Sequence, residues 1–95
     1  MAREIIWADT AYRDLESIAE YIARDSGQYA AAFVREVMDA SRTLAEFAGR
    51  GQMVPEFQDE NLREFLIRSY RLVYRIEGQR VIVLGVIHGA RREGR

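Results

Sequence analysis

Arg71 and Arg75 stand four residues apart in the run Tyr70-Arg71-Leu72-Val73-Tyr74-Arg75-Ile76, where Arg alternates with apolar and aromatic residues. Successive side chains of a strand point to opposite faces, so both guanidinium groups project to one side with Val73 between them. Each guanidinium is a planar fork of N–H donors suited to phosphate or carboxylate. Arg63, on the preceding apolar run, joins that face if the pairing register cooperates. A plainer account pairs these arginines with Glu64 and Glu77 on a solvated sheet face, since charge alternation is common on half-exposed strands.

Two further groups could move protons. His88 ends the last apolar run and precedes Gly89-Ala90-Arg91-Arg92. Its ordinary pKa of about 6.5 suits a general acid or base; its plainer role is a satisfied residue at a strand end. Glu56 follows Val54-Pro55, and the fixed φ of proline would hold its carboxylate toward the sheet; a surface carboxylate is the plainer reading. The chain has one His and no Cys, which excludes a histidine cluster, a zinc ribbon, a disulfide framework and a thiolate nucleophile. No spacing implies a carboxylate metal site, a phosphate-cradling glycine loop or a Ser-His-Asp order, so neither metal nor cofactor is expected. Gly49-Arg50-Gly51 reads as a helix stop. Tyr12, Tyr21 and Tyr29 lie on or beside helices and are expected to pack, and Trp7 is expected in the core.

These groups need elements to hold them. Arg3-Glu4-Ile5-Ile6-Trp7 reads as a short strand, with Asp9 or Thr10 as the cap of a following helix. Ala11, Leu15, Ile18 and Ile22 recur at helical spacing. Asp25-Ser26-Gly27 ends that helix and offers Ser26 as the cap of a second, which carries Ala30, Phe33, Val34, Val37, Met38, Ser41, Leu44 and Ala45 on one face. Gln52 to Asn61 holds the only proline and reads as an irregular connection. Leu62 to Ile67, Tyr70 to Ile76 and Val81 to Ile87 read as strands joined by tight turns at Arg68-Ser69 and Glu77-Gly78-Gln79. The last run is almost wholly apolar, as a central strand buried on both faces requires. The expected fold is α+β in the order β-α-α-β-β-β: an N-terminal strand, then an antiparallel helical hairpin packed on a C-terminal three-stranded antiparallel sheet.

The 95 residues allow one domain, residues 1–95, and no second core. With 48% hydrophobic and 31% charged residues the composition is that of a folded globule. No apolar run approaches the roughly 20 residues of a membrane helix, and the N-terminus does not resemble a signal peptide; a cytoplasmic protein is expected. A net charge of −1 argues weakly against a general nucleic-acid binder. All fourteen basic residues are Arg, and they are unevenly placed. Residues 1–47 hold five Arg against nine acids, a balance of −4, and residues 48–95 hold nine Arg against six, a balance of +3. Such asymmetry can mark a binding face for an acidic partner.

Pro55-Glu56, Arg63-Glu64, the YRLVYRI run and the IHGARR ending, in that order after the IIWADTAYRDLESIAEYIA start, resemble the RelE/ParE superfamily of bacterial type II toxin–antitoxin toxins. The resemblance covers nearly the whole chain. It implies a growth inhibitor silenced by a cognate antitoxin, with no membrane partner. Two activities divide the superfamily. RelE- and YoeB-like members are ribosome-dependent mRNA endonucleases, and Glu56, Arg71 and His88 stand at the places matching their catalytic residues. On that reading Glu56 takes the 2′-OH proton, Arg71 stabilises the phosphorane and His88 protonates the leaving oxygen. ParE-like members act on DNA gyrase. Gly89 where the YoeB-like pattern has an aromatic, the absence of Lys and the His-Gly-Ala-Arg ending favour this branch. Arg63, Arg75, Arg91 and Arg92 would then contribute to target or partner binding. A degenerate member that only binds antitoxin is a third reading.

Overall fold

In the computed structural model, which describes residues 2–89, the β-branched opening run forms β1 (Glu4–Trp7). Helix α1 (Asp9–Ala23) follows after one extended residue, Ala8. Asp9 and Thr10, the expected caps, lie inside its first turn instead. Asp9 places a carboxylate at the positive end of the helix dipole, and the Thr10 hydroxyl donates to the Leu84 carbonyl at 2.9 Å. Helix α2 (Gly27–Thr43) is capped by Ser26, whose Oγ accepts from the Tyr29 N–H at 3.0 Å and satisfies one of the free amides of the first turn. Ala11 and Leu15 of α1 and Ala30, Phe33 and Val37 of α2 are buried, with Ile18 and Ile22 packed beside them, as a helical apolar stripe requires.

A single 3-10 turn (Ala48–Arg50) leads into β2 (Gln52–Met53), followed by β3 (Leu62–Ile67), β4 (Tyr70–Glu77) and β5 (Arg80–His88). The strand order is β1-β5-β4-β3-β2, with β1 parallel to β5 and the other pairs antiparallel. The architecture is α+β, but the expected three-stranded sheet is five-stranded and mixed. The physical reason is edge satisfaction. Strand β5 is apolar on both faces, and its outer edge presents N–H and C=O groups that β1 pairs from Arg80 to Val83. The two residues of β2 do the same for Arg63 and Glu64 of β3, so the connection expected to be irregular from Gln52 begins as a strand.

Both helices lie on one face of the sheet, where Leu72, Tyr74, Val81 and Val83 meet Phe33, Val37 and Leu44. The loop of residues 54–61 folds over part of the other face. Among the described residues no helix is long and apolar enough to cross a membrane.

Candidate functional site

Register decides which side chains meet. Residues directly opposite one another in a ladder share a face. Leu66, Arg71 and Ile87 stand abreast on β3, β4 and β5, and Glu64 stands beside Val73 in the next row of the uncovered face. Arg71 and Arg75 share this face. Arg71 Nη1 donates to Glu64 Oε1 at 2.6 Å, and its Nε donates to the Gly89 carbonyl at 3.3 Å. The Glu64 side chain is 2% exposed and that of Arg71 18%. The anticipated Arg–Glu pair therefore exists, but as a buried pair and not on a solvated surface. Arg75 pairs with Asp59 at 2.6 Å, not with Glu77, whose carboxylate lies 4.0 Å from Arg80.

Val54, Glu56, Phe57, Leu62, Glu64, Arg71, Val73 and Ile87 enclose a cleft of about 340 Å³. Glu56 reaches it because the loop is tied at several points. Val54 N–H donates to the Leu62 carbonyl, Leu62 N–H to the Asp59 carbonyl, and Ile76 N–H to the Asn61 carbonyl. Asp59 accepts from the Asn61 amide and from Arg75, and these two donors, the amide first, hold its carboxyl below its ordinary pKa. Arg63 faces the other way. It stands opposite Tyr74 on the helix side of the sheet, donating to the Glu60 and Gly51 carbonyls at 2.8 Å each, so it fastens the loop and does not join Arg71 and Arg75.

Gly51 does more than stop a helix. A Cβ on it would lie 2.7 Å from the Tyr74 hydroxyl and 2.8 Å from the Glu64 carbonyl, so only glycine fits. That close approach lets the Tyr74 hydroxyl accept from Gly51 N–H and donate to the Ala48 carbonyl inside the core. Burial pushes the Tyr74 phenol up from its ordinary pKa, against the lowering effect of the Gly51 N–H.

His88 does not reach the cleft. The β4–β5 hairpin starts in the register Glu77 opposite Arg80 and Tyr74 opposite Val83, but Val73 lies opposite Gly85, leaving Leu84 as an extra residue. Continued without that bulge, the register would set Arg71 opposite Val86, with His88 on the Arg71 face. The one-residue shift instead sets Arg71 opposite Ile87 and His88 opposite Tyr70, on the helix side. The His88 ring lies 4.9 Å from that of Tyr70, and His88 lines a separate hollow with Ser17, Ile18 and Tyr21. Two α1 side chains one turn apart secure the bulge: Thr10 donates to the Leu84 carbonyl, and Asp14 accepts from Val86 N–H at 3.0 Å.

Of the candidate residues, the fold thus brings Glu56 and Arg71 to one cleft, with Arg75 on the same face, and turns Arg63 and His88 to the other. Arg91 and Arg92 lie outside the described residues. Glu64, which fixes Arg71, was missed as a site residue in its own right; its signal was the alternation Leu62, Glu64, Leu66, which seats a carboxylate in a half-apolar row. Tyr12, Tyr21 and Tyr29 are exposed, with their rings against Trp7, Arg24 and Arg68 and not in the core, and Trp7 is partly buried against the core. No group of three His, Cys, Asp or Glu able to hold a metal occurs among the described residues.

A helical hairpin on a mixed five-stranded sheet is a fold shared with solved toxins. A chain of the chromosomal ParDE toxin–antitoxin system from P. aeruginosa superposes with a TM-score of 0.78 at 17% identity, covering 94% of this chain and 98% of that one. The toxin–antitoxin complex RelBE2 from Mycobacterium tuberculosis gives 0.61 at 23% identity, covering 93% and 99%. A YoeB/ParE toxin from Agrobacterium tumefaciens gives 0.62 at 18% identity, covering 92% and 99%. No curated protein is significantly similar in sequence. The fold is therefore one shared by proteins of toxin–antitoxin systems. Within it, the family model of the ParE toxin of the type II toxin–antitoxin system parDE matches residues 5–93, and the chain belongs to that family.

Proposed function

We propose that this type II toxin arrests growth by acting on DNA gyrase and is held silent by a cognate antitoxin. The observation that carries the choice of target is the bulge at Leu84, which puts His88 and Arg71 on opposite faces of the sheet. Message cleavage by Glu56, Arg71 and His88 needs base, charge stabiliser and acid around one phosphate, within hydrogen-bond reach of the reacting atoms. Glu56 and Arg71 could flank a phosphate, but the acid stands on the far side of the sheet. Membership in the ParE family supports the same choice. A protein target asks for a binding surface and not for a convergent acid–base set.

Purified toxin should abolish supercoiling by gyrase or trap cleaved DNA, while mRNA on programmed ribosomes stays intact. Undiminished supercoiling at a large molar excess of toxin, with cleavage appearing in the ribosomal A site, would overturn this reading. The antitoxin is tested separately: the product of the adjoining small open reading frame should bind the toxin in stoichiometric complex and restore growth.

A further inference from the structure

The end of β5 could pair with β4 in either of two registers one residue apart, with the bulge at Leu84 or without it. In the observed register Val86 stands opposite Leu72 and His88 opposite Tyr70 on the helix side, while Gly85 and Ile87 stand opposite Val73 and Arg71 on the uncovered face. Without the bulge each of these would change sides. Gly85 would lie opposite Leu72, Ile87 would take the place of His88 against Tyr70, and Val86 and His88 would pass to the Arg71 face. Apolar burial alone scarcely separates the two. The observed register buries Val86, which is 4% exposed, and leaves Ile87 44% exposed; the other would seat Ile87 in the hollow bordered by Ile18, Tyr21 and Tyr70 and give up Val86. Burying an Ile or a Val side chain is of comparable worth.

We propose that Gly85 settles the choice, and that its missing side chain is what keeps His88 away from Arg71. Two observations converge on it. A Cβ at position 85 would lie 3.1 Å from Asp14 Oδ2, closer than ordinary van der Waals contact. The carboxylate that accepts from Val86 N–H at 3.0 Å therefore reaches the strand because the residue before Val86 has no side chain. In the register without the bulge, the same glycine would face the fully buried Leu72 and leave a void in the core where Val86 now sits. Glycine at 85 thus admits one register and penalises the other. Thr10 adds to this by donating at 2.9 Å to the carbonyl of Leu84, the extra residue of the bulge. Gly85 touches no reacting group and acts by position alone; its importance for function rests on the gyrase reading, in which His88 has no part beside Arg71.

Proton NMR of the purified toxin reads the register directly, since the chain has a single His. In the parent the His88 ring should show Overhauser contacts to the Tyr70 ring, whose centroid lies 4.9 Å away. In Gly85→Val a side chain at 85 crowds Asp14 in one register and fills the core in the other. The His88–Tyr70 contacts should vanish there, and contacts from the Ile87 methyls to the Tyr70 ring should replace them. Ile82→Val, a small change on the same strand before the bulge, should leave the parental contacts in place. Folded Gly85→Val protein that keeps the His88–Tyr70 contacts overturns the proposal. Should Gly85→Val fail to fold, the exchanged pair Gly85→Val/Val86→Gly decides, because it presents valine to Leu72 only in the register without the bulge. Contacts of Ile87 with Tyr70 in that protein support the proposal; contacts of His88 with Tyr70, or no folded sheet, overturn it. The gyrase reading is tested apart, with the parent toxin on gyrase and on programmed ribosomes. Message cleavage in the ribosomal A site by the parent would end that reading, while the spectra would still decide the role of Gly85.

Discussion

Arg68 holds a backbone angle, φ 57°, that L-residues other than Asn and Asp seldom adopt, at the first position of the two-residue β3–β4 turn. Gly78 does the same in the β4–β5 turn, where the missing Cβ removes the strain. Side-chain contacts explain the arginine. Its Nε lies 2.5 Å from Glu36 Oε1, its Nη1 donates to the Tyr29 hydroxyl, and the guanidinium sits 5.1 Å from the Tyr29 ring centroid, so the hairpin tip is fastened to α2. These donations, Glu36 first, raise the Arg68 pKa from its already high value. Arg68→Ala and Arg68→Gly both delete the contacts, and only the second relieves the backbone. Arg68→Ala should therefore be the less stable by about 1 kcal/mol in urea unfolding; equal stabilities would show that the turn is unstrained. Single-residue signals of this kind were only partly legible in sequence. The tight turn at Arg68-Ser69 could be read from its place between two apolar runs, but not the angle. The positive φ available to Gly78 could be read from its type, because glycine announces its freedom and arginine does not.

Among the elements, those built from local information were the readable ones. The helical stripes, the Ser26 cap and both two-residue hairpins follow from residues within one or two turns of each other. The pairing of β1 with β5 and of β2 with β3 brings together segments with no short connection, so nothing in their spacing announces it. The bulge at Leu84 was hidden as well. Its cause is α1, whose Thr10 and Asp14 reach the β5 edge just beyond the end of β1. Such a tertiary contact reverses the parity of Ile87 and His88, and it undoes the expected convergence of His88 with Arg71. The loop of residues 54–61 allows an element-scale prediction. The Asp59 carboxyl is held below its ordinary pKa by the Asn61 amide and by Arg75, so its contribution is present above about pH 4 and is lost as pH falls through the lower folded-state value. Limited proteolysis at the loop should accelerate below that pH in the parent. In Asp59→Asn, which cannot titrate, the acid-induced increase should be absent. An identical acid dependence in the two proteins would place the titrating group elsewhere.

At the scale of the molecule, the net charge of −1 conceals an acidic helical half and an Arg-rich sheet half, and most described arginines of the second half are already bound by carboxylates or carbonyls. Arginine content alone therefore overstates what the sheet offers to a phosphate. The two faces of the sheet then make separate demands on function. Arg71 belongs to the uncovered face and the cleft, and His88 belongs to the hollow beside α1 and Tyr70. If the toxin acts through the uncovered face on a protein, Arg71→Ala should relieve growth arrest, because it leaves Glu64 buried without its cation and removes a charge from the cleft. His88→Ala should arrest growth as the parent does. If the toxin is a nuclease drawing on both residues, the two substitutions should relieve arrest alike and preserve the same messages. Antitoxin-free induction, followed by growth curves and by message integrity on ribosomes, separates the two cases. Circular dichroism of each purified variant is required alongside, since Arg71→Ala breaks a buried pair whose loss costs about 3–5 kcal/mol when one charge stays behind. Arg71→Lys keeps that charge in place of the fork. Folded Arg71→Lys protein with reduced arrest would assign the effect to recognition at the cleft and not to stability.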